Sequence, residues 1–92
     1  MITGNQCVAA RGLLRWKQAD LSEAISIAGG KLSVTAITTF EKGGAIRQSN
    51  AALIMQALEQ AGVILIDERE VSKNGGAGVR LVKNETNKIN KQ

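Results

Sequence analysis

Apolar residues recur at spacings of three and four over the first 62 residues, a pattern that predicts short amphipathic helices. The first helix is predicted to follow Thr3, which can form a capping box with Gln6, and to end near Arg15. Its inward face is expected to carry Cys7, Ala10, Arg11 and Leu14. Because nothing nearby would stabilise a thiolate, we interpret Cys7 as a small core residue.

Two more predicted helices follow, joined by glycines. The second starts at Gln18 and ends at Gly29 or Gly30; the third is capped by Ser33 and ends at Gly43. The residues expected to be buried are Leu21, Ala24, Ile25 and Ala28 in the second helix, and Ile37 and Phe40 in the third. Two helices joined by a glycine-containing turn form a helix-turn-helix, whose second helix can enter the major groove of DNA.

The pattern changes at Gly62. A fourth helix, capped by Ser49 or Asn50, is predicted to end there, with Leu53, Ile54, Ala57, Leu58 and Ala61 facing inward. Residues 63–66 and 78–82 then predict two strands, connected through turn residues 74–76. Because a two-stranded ribbon is marginal in water, we expect it to pack on the helices, to pair with a second subunit, or to do both.

Length and composition fit one small helical domain. The chain has 92 residues, 43% of them hydrophobic, and a mainly aliphatic core is expected because only Trp16 and Phe40 are aromatic. We divide it into a helix-turn-helix DNA-binding domain (1–62), a β-ribbon extension for dimerisation (63–83), and a polar tail expected to be disordered (84–92).

Charge and cysteine content indicate the kind of partner and the cellular compartment. The net charge is +4 and the isoelectric point is near 9.7, which favours a polyanionic partner without requiring one. A single cysteine excludes an intramolecular disulfide and suits a reducing compartment. Without an apolar run of membrane-spanning length or a leader pattern, we expect a cytoplasmic protein that does not enter a membrane.

Few residues in the chain suit catalysis or cofactor binding. It has no His, and we interpret the acidic cluster Asp67, Glu68 and Glu70 beside Arg69 as a solvated patch. The glycine-rich run 75–78 precedes a strand, whereas a phosphate-binding glycine loop precedes a helix. We therefore expect a protein that is not an enzyme and holds no metal or other cofactor.

The third helix offers candidates for contact with DNA bases in its N-terminal part: Ser33, Val34, Thr35, Thr38 and Thr39. A threonine can hydrogen bond to a base edge or contact a thymine methyl group. No Arg, Asn or Gln lies on this face for a bidentate contact, so weak base discrimination is expected. Candidates for phosphate contact flank the helix: Gln18, Lys31, Lys42 and Arg47.

Short motifs that occur in a particular order along the chain also match the pattern of a known family. The matching residues are Ala10-Arg11, Leu13-Leu14, Trp16, Gln18, Asp20-Leu21-Ser22-Glu23-Ala24, Ile37, Phe40-Glu41-Lys42-Gly43, Ala57-Leu58-Glu59, Ala61-Gly62-Val63, Ile66-Asp67-Glu68, Asn74-Gly75-Gly76 and Gly78-Val79-Arg80-Leu81. In these residues, which extend from about Ile2 to Lys83, the chain resembles the lambda repressor-like helix-turn-helix family, in its small xenobiotic-response-element (XRE) subgroup of bacterial and phage regulators. The resemblance implies a mainly α fold, a bundle of four to five helices with a C-terminal two-stranded β-ribbon.

The resemblance also implies individual roles. Gln18 would contact a phosphate, and Val34, Thr35 and Thr39 would face bases. Arg11 and Glu41 would form an ion pair, as expected for an arginine on an otherwise buried face. Two features depart from the family pattern. Lys17 replaces a capping hydroxyl residue, and residues 26–31 lengthen the segment, so that either the second helix is longer or the hinge is a loop.

The sequence thus predicts a DNA-binding transcriptional regulator, of the repressor type, that recognises a short palindromic operator in double-stranded DNA as a homodimer. The alternative is a protein-interaction module, such as an antitoxin or phage anti-regulator, that uses the same fold to bind a protein partner.

Overall fold

The structure, a computed structural model, describes residues 1–66 and 78–82. Its elements are the helices α1 (Gly4–Leu14), α2 (Gln18–Ile27), α3 (Val34–Glu41) and α4 (Gln48–Gln60) and the strands β1 (Val63–Ile66) and β2 (Gly78–Leu81). The described part is therefore mainly helical, with a two-stranded antiparallel sheet. The turn 74–76, the acidic cluster 67–70 and the tail 84–92 lie outside the described residues.

Local capping chemistry explains where the first three helices begin. Thr3 Oγ1 accepts from the Gln6 amide at 3.1 Å, and Gln6 Oε1 accepts from the Thr3 amide at 2.9 Å, so the predicted capping box is confirmed. Ser33 Oγ accepts from the Ala36 amide at 3.1 Å and caps α3, also as predicted. Lys17 supplies no side-chain cap to α2, but its amide donates to the Asp20 carboxylate at 2.8 Å.

Two details of the prediction are wrong. The fourth helix is preceded by Arg47, and Ser49 and Asn50 lie within its first turn. The helix begins without a side-chain cap, so neither hydroxyl nor amide side chain sets its first residue, and Ala51 in its first turn is fully buried. Ala28 is exposed because α2 ends at Ile27 and Ala28 belongs to the following turn.

The core lies where the helices meet. α2 packs against α3 and α4, and α1 packs against α3. The largest fully buried side chains are Leu21, Ile25, Ile37, Ile54, Leu58, Val63 and Cys7. Trp16 and Leu53 are partly buried against this cluster. As predicted, the core is almost entirely aliphatic, and Phe40 is its single buried aromatic ring within the described residues.

The ribbon packs on the helices, as predicted. β1 packs against α4, β2 packs against α1, and Val63 pairs with Leu81 in the antiparallel register. The buried side chain of Gln6 in α1 fastens the far end of the ribbon. Its Nε2 donates to the carbonyls of Ile66 at 3.1 Å and Gly78 at 2.9 Å, one from each strand. Both hydrogens of this amide and one of the two acceptor positions of its oxygen are therefore occupied.

We expect Gly4→Ala to destabilise the protein by about 1–3 kcal/mol, since an added Cβ would overlap the Phe40 carbonyl oxygen where α1 approaches α3. Gly12→Ala is the matched control in the same helix. It meets nothing within 4 Å and should stabilise by about 0.5–1 kcal/mol through higher helix propensity. Urea unfolding followed by circular dichroism measures both, and equal effects of the two substitutions would contradict the close approach.

Candidate nucleic-acid interface

One side of α3 faces solvent while the other side is in the core. Ile37 and Phe40 are buried, as predicted. Val34 is 39% exposed, and Thr35 and Thr39 are also exposed. The structure therefore brings these three predicted base-contacting residues together on the open face of a single helix.

The other two predicted base-contacting residues are engaged within the protein. Ser33 is exposed, but its hydroxyl oxygen accepts the α3 capping bond. Thr38 is half-buried, and its hydroxyl lies 2.7 Å from Gln18 Oε1 and 2.9 Å from the carbonyl of Val34. A hydroxyl has one hydrogen, so only one of these oxygens accepts it at a time.

Gln18 sits between α2 and α3 with its amide held on both sides. Its Nε2 donates to Glu41 Oε1 at 2.8 Å, while its Oε1 accepts from Thr38. The amide nitrogen carries two hydrogens, and one of them forms the hydrogen bond to Glu41. Within the described residues no second acceptor takes the other hydrogen, so this N–H is available to a ligand.

Arg11 and Glu41 form the ion pair that the resemblance implies. Arg11 Nε donates to Glu41 Oε2 and Nη2 donates to Oε1, both at 2.7 Å, a bidentate arrangement that joins α1 to α3. Arg11 Nη1 also donates to the Trp16 carbonyl at 3.0 Å. The Glu41 side chain is 5% exposed, so the pair is shielded from solvent.

Cys7 lies beneath this pair. It is fully buried and its Sγ is 3.1 Å from Glu41 Oε2, to which it donates. Burial raises the pKa of the Cys7 thiol to about 12, and the adjacent Glu41 carboxylate adds to the effect. The thiol therefore stays protonated at neutral pH, in agreement with a core role.

Glu41 itself remains ionised. Burial by itself raises the pKa of the Glu41 carboxyl, but hydrogen bonds from Arg11, Gln18 and Cys7 together outweigh burial and leave the pKa below its ordinary 4.5. The pKa of Arg11 is raised, chiefly by its hydrogen bond to Glu41. Both groups are thus charged across the physiological pH range.

These shifts predict a specific acid sensitivity. Because the folded-state pKa of Glu41 is lowered, its contribution to stability is present above about pH 4.5 and is lost as the pH falls through the folded pKa. The difference in unfolding free energy between wild type and Glu41→Gln should therefore be constant near neutrality and shrink below pH 4.5. Urea titrations at a series of pH values measure it; a difference that does not change with pH would contradict the assignment.

Exposed cations surround α3 along the chain. Lys31 precedes it in the connection, Lys42 is its C-cap and Arg47 is the residue before α4; all three are exposed. Across residues 1–66 and 78–82 the ion pair Arg11–Glu41 is the only one. No carboxylate in that part of the chain therefore neutralises these three side chains.

The connection between α2 and α3 is a six-residue loop, 28–33, and α2 is not extended. It is longer than the three or four residues of a typical helix-turn-helix turn. It is nonetheless fixed, since Leu32 is buried and its carbonyl accepts from the Ser22 hydroxyl at 2.6 Å. Gly30 lies against Leu53, where a Cβ would not fit without movement of that side chain.

Two exposed cations absent from the predicted set lie directly before Gln18. Arg15 ends α1 in a left-handed conformation, with φ 59°, and Lys17 precedes α2. Their place beside a helix N-terminus was readable from the sequence, because backbone amides and cations together favour anions there. The link between Thr38 and Gln18 was not readable, because helix spacing alone places Thr38 near the open face.

Comparison with protein-family models, curated proteins and solved structures finds no significant match for this chain. Within the described residues no helix has the length and apolar character needed to cross a membrane. The same part of the chain contains no group of three His, Cys, Asp or Glu side chains arranged to hold a metal ion.

Proposed function

We propose that the chain is a DNA-binding transcriptional regulator of the lambda repressor-like helix-turn-helix type. In this proposal α2 and α3 are the two helices of the motif, and α3 lies in the major groove. Val34, Thr35 and Thr39 contact base edges, with Gln18, Lys31, Lys42 and Arg47 on phosphates. The role is binding and not catalysis, with repression following from occupation of an operator.

One observation carries this proposal: the open face of α3 is flanked in the chain by exposed cations with no carboxylate partner in the described residues. Such side chains bind phosphates, and a helix with an exposed face can read base edges in the groove. The bidentate Arg11–Glu41 pair and the Gln18 amide fix that helix to α1 and α2. The anchored loop 28–33 takes the place of the shorter turn of a typical motif. In this proposal it sets the angle between α2 and α3.

The decisive experiment is selection of bound duplexes from a random library, followed by titration of the selected duplex at several salt concentrations. We expect one short motif to be enriched, with palindromic symmetry. The logarithm of affinity should fall with the logarithm of salt concentration by about 0.9 for each phosphate contact. No enrichment, or an affinity independent of salt, would refute the proposal.

Two substitutions separate phosphate contact from base contact. Lys42→Ala should weaken binding to selected and scrambled duplexes equally and lower the salt slope by about 0.9. Thr35→Ala should weaken only the selected duplex, by about fivefold, because one neutral hydrogen bond is lost. Arg80→Ala, on strand β2, removes the same charge from another element and is the control. An equal loss in Lys42→Ala and Arg80→Ala would contradict a specific contact at α3.

A homodimer completes the proposal. Leu81 is 45% and Val82 is 49% exposed at the end of β2, so the ribbon offers apolar surface to a second copy. Doubling a weak half-site would compensate for the small number of hydrogen-bonding groups on α3. Sedimentation equilibrium at micromolar concentration, with and without the selected duplex, should give a dimer; a monomer under both conditions would exclude it.

The same exposed side chains favour a second candidate function, a protein-interaction module such as an antitoxin or phage anti-regulator. Ile27 at the end of α2 is 79% exposed and is a further apolar side chain open to a partner. This candidate predicts a stoichiometric protein partner together with no enriched duplex. An enriched duplex and no such partner would exclude it.

A further inference from the structure

The hydroxyl of Thr38 and the carboxylate of Glu41 hold the Gln18 amide from opposite sides. The distances are 2.7 Å from Thr38 Oγ1 to Gln18 Oε1 and 2.8 Å from Gln18 Nε2 to Glu41 Oε1. A carboxylate only accepts hydrogen bonds, so the amide nitrogen must face Glu41 and the amide oxygen must face Thr38. The ionised state of Glu41 therefore decides the orientation of Gln18.

This orientation constrains Thr38 in turn. Because Gln18 presents an oxygen, Thr38 must donate its only hydrogen to it. The neighbouring Val34 carbonyl, 2.9 Å away, already accepts within the α-helical ladder and does not need this hydrogen. Thr38 is consequently left without a donor for a base edge, in contrast to the exposed Thr35 and Thr39.

The amide of Gln18 is planar, so two fixed contacts also fix the direction of its second Nε2 hydrogen. That hydrogen has no acceptor within the described residues, and Gln18 is the first residue of α2, next to the exposed Lys17 in the chain. A phosphate oxygen bound there would meet an N–H that is already oriented, which lowers the entropy lost on binding.

The geometry points to Thr38 as a positioning residue that orients Gln18 for a phosphate contact, and not as a reader of bases. This inference rests on the proposed function. It replaces the base-contacting role predicted for Thr38 with one that affects all duplex sequences equally. It also joins four side chains into one relay, from Arg11 through Glu41 and Gln18 to Thr38.

The test compares Thr38→Val, which removes the hydroxyl with little change of shape, with Thr39→Val in the same helix. In ¹⁵N spectra of the full chain, the Gln18 side-chain NH₂ signals are identified by their loss in Gln18→Ala. Thr38→Val should move these signals toward those of a solvent-exposed glutamine and speed their exchange with water. Thr39→Val should leave them unchanged, since Thr39 makes no side-chain hydrogen bond within the described residues.

Binding to selected and scrambled duplexes completes the test. Thr38→Val should weaken both by the same factor, about fivefold, and should have no further effect in a Gln18→Ala background. Loss for the selected duplex alone, or unchanged Gln18 signals, would overturn the inference. If the wild type binds neither duplex, the proposed function and the phosphate role both fail, whereas the spectra still decide whether Thr38 orients Gln18.

Discussion

Glu41→Gln should lower the free energy of unfolding by about 3–5 kcal/mol at neutral pH, because it removes one partner of a buried ion pair. The carboxylate accepts four hydrogen bonds, two from Arg11 and one each from Gln18 and Cys7. The amide of glutamine has the same shape, but an NH₂ group replaces one of the two accepting oxygens. This NH₂ donor then faces the donor groups that bonded to the carboxylate. The Arg11 charge is also left without a counter-ion at a partly buried position.

Glu23→Gln is the matched control for this substitution. Glu23 is exposed in α2 and forms no ion pair in the part of the chain that the structure describes, so its change should stay within about 0.5 kcal/mol. Urea unfolding of the two variants, followed by circular dichroism, gives the comparison. A loss below 1 kcal/mol for Glu41→Gln would mean that the pair contributes no more than an exposed one.

The parts of the fold that depend on local chemistry could be predicted from the sequence. Thr3 and Ser33 cap their helices because a side-chain oxygen reaches an amide three residues on. Gly29 and Gly43 follow their helices with positive φ, a conformation that glycine adopts without strain. The spacing of apolar residues predicted the four helices and both strands, because each spacing follows from the geometry of a single helix or strand.

Features that depend on contacts between residues far apart in the sequence could not be predicted. Ser49 and Asn50 are good cap residues, yet α4 begins before both, after Arg47 and without a side-chain cap. The same limit applies to the site. Helix spacing placed Thr38 among the base-contacting residues, but α3 packs on α2 and brings Thr38 against Gln18. No local pattern records a contact between side chains 20 residues apart.

Gln6 is the clearest example of a residue with a predictable role and an unpredictable one. Its oxygen completes the α1 cap three residues away, which the sequence indicated. Its nitrogen reaches carbonyls 60 and 72 residues away, one on each strand of the ribbon. A single substitution can separate these roles, since a carboxylate keeps the accepting oxygen and loses both donors.

Gln6→Glu should therefore destabilise the protein by about 3–4 kcal/mol, because it removes two hydrogen bonds to these carbonyls and buries a negative charge against their oxygens. Thr3→Ala, which loses the cap alone, should destabilise by only about 1 kcal/mol. Urea unfolding measures both variants, and acidification should narrow the gap between them because a protonated carboxyl regains one donor. Hydrogen exchange should show faster opening of the ribbon amides in Gln6→Glu alone. Equal destabilisation by the two substitutions would mean that the Gln6 amide adds nothing beyond the cap, and that the ribbon is held on the helices by Val63 and its apolar neighbours.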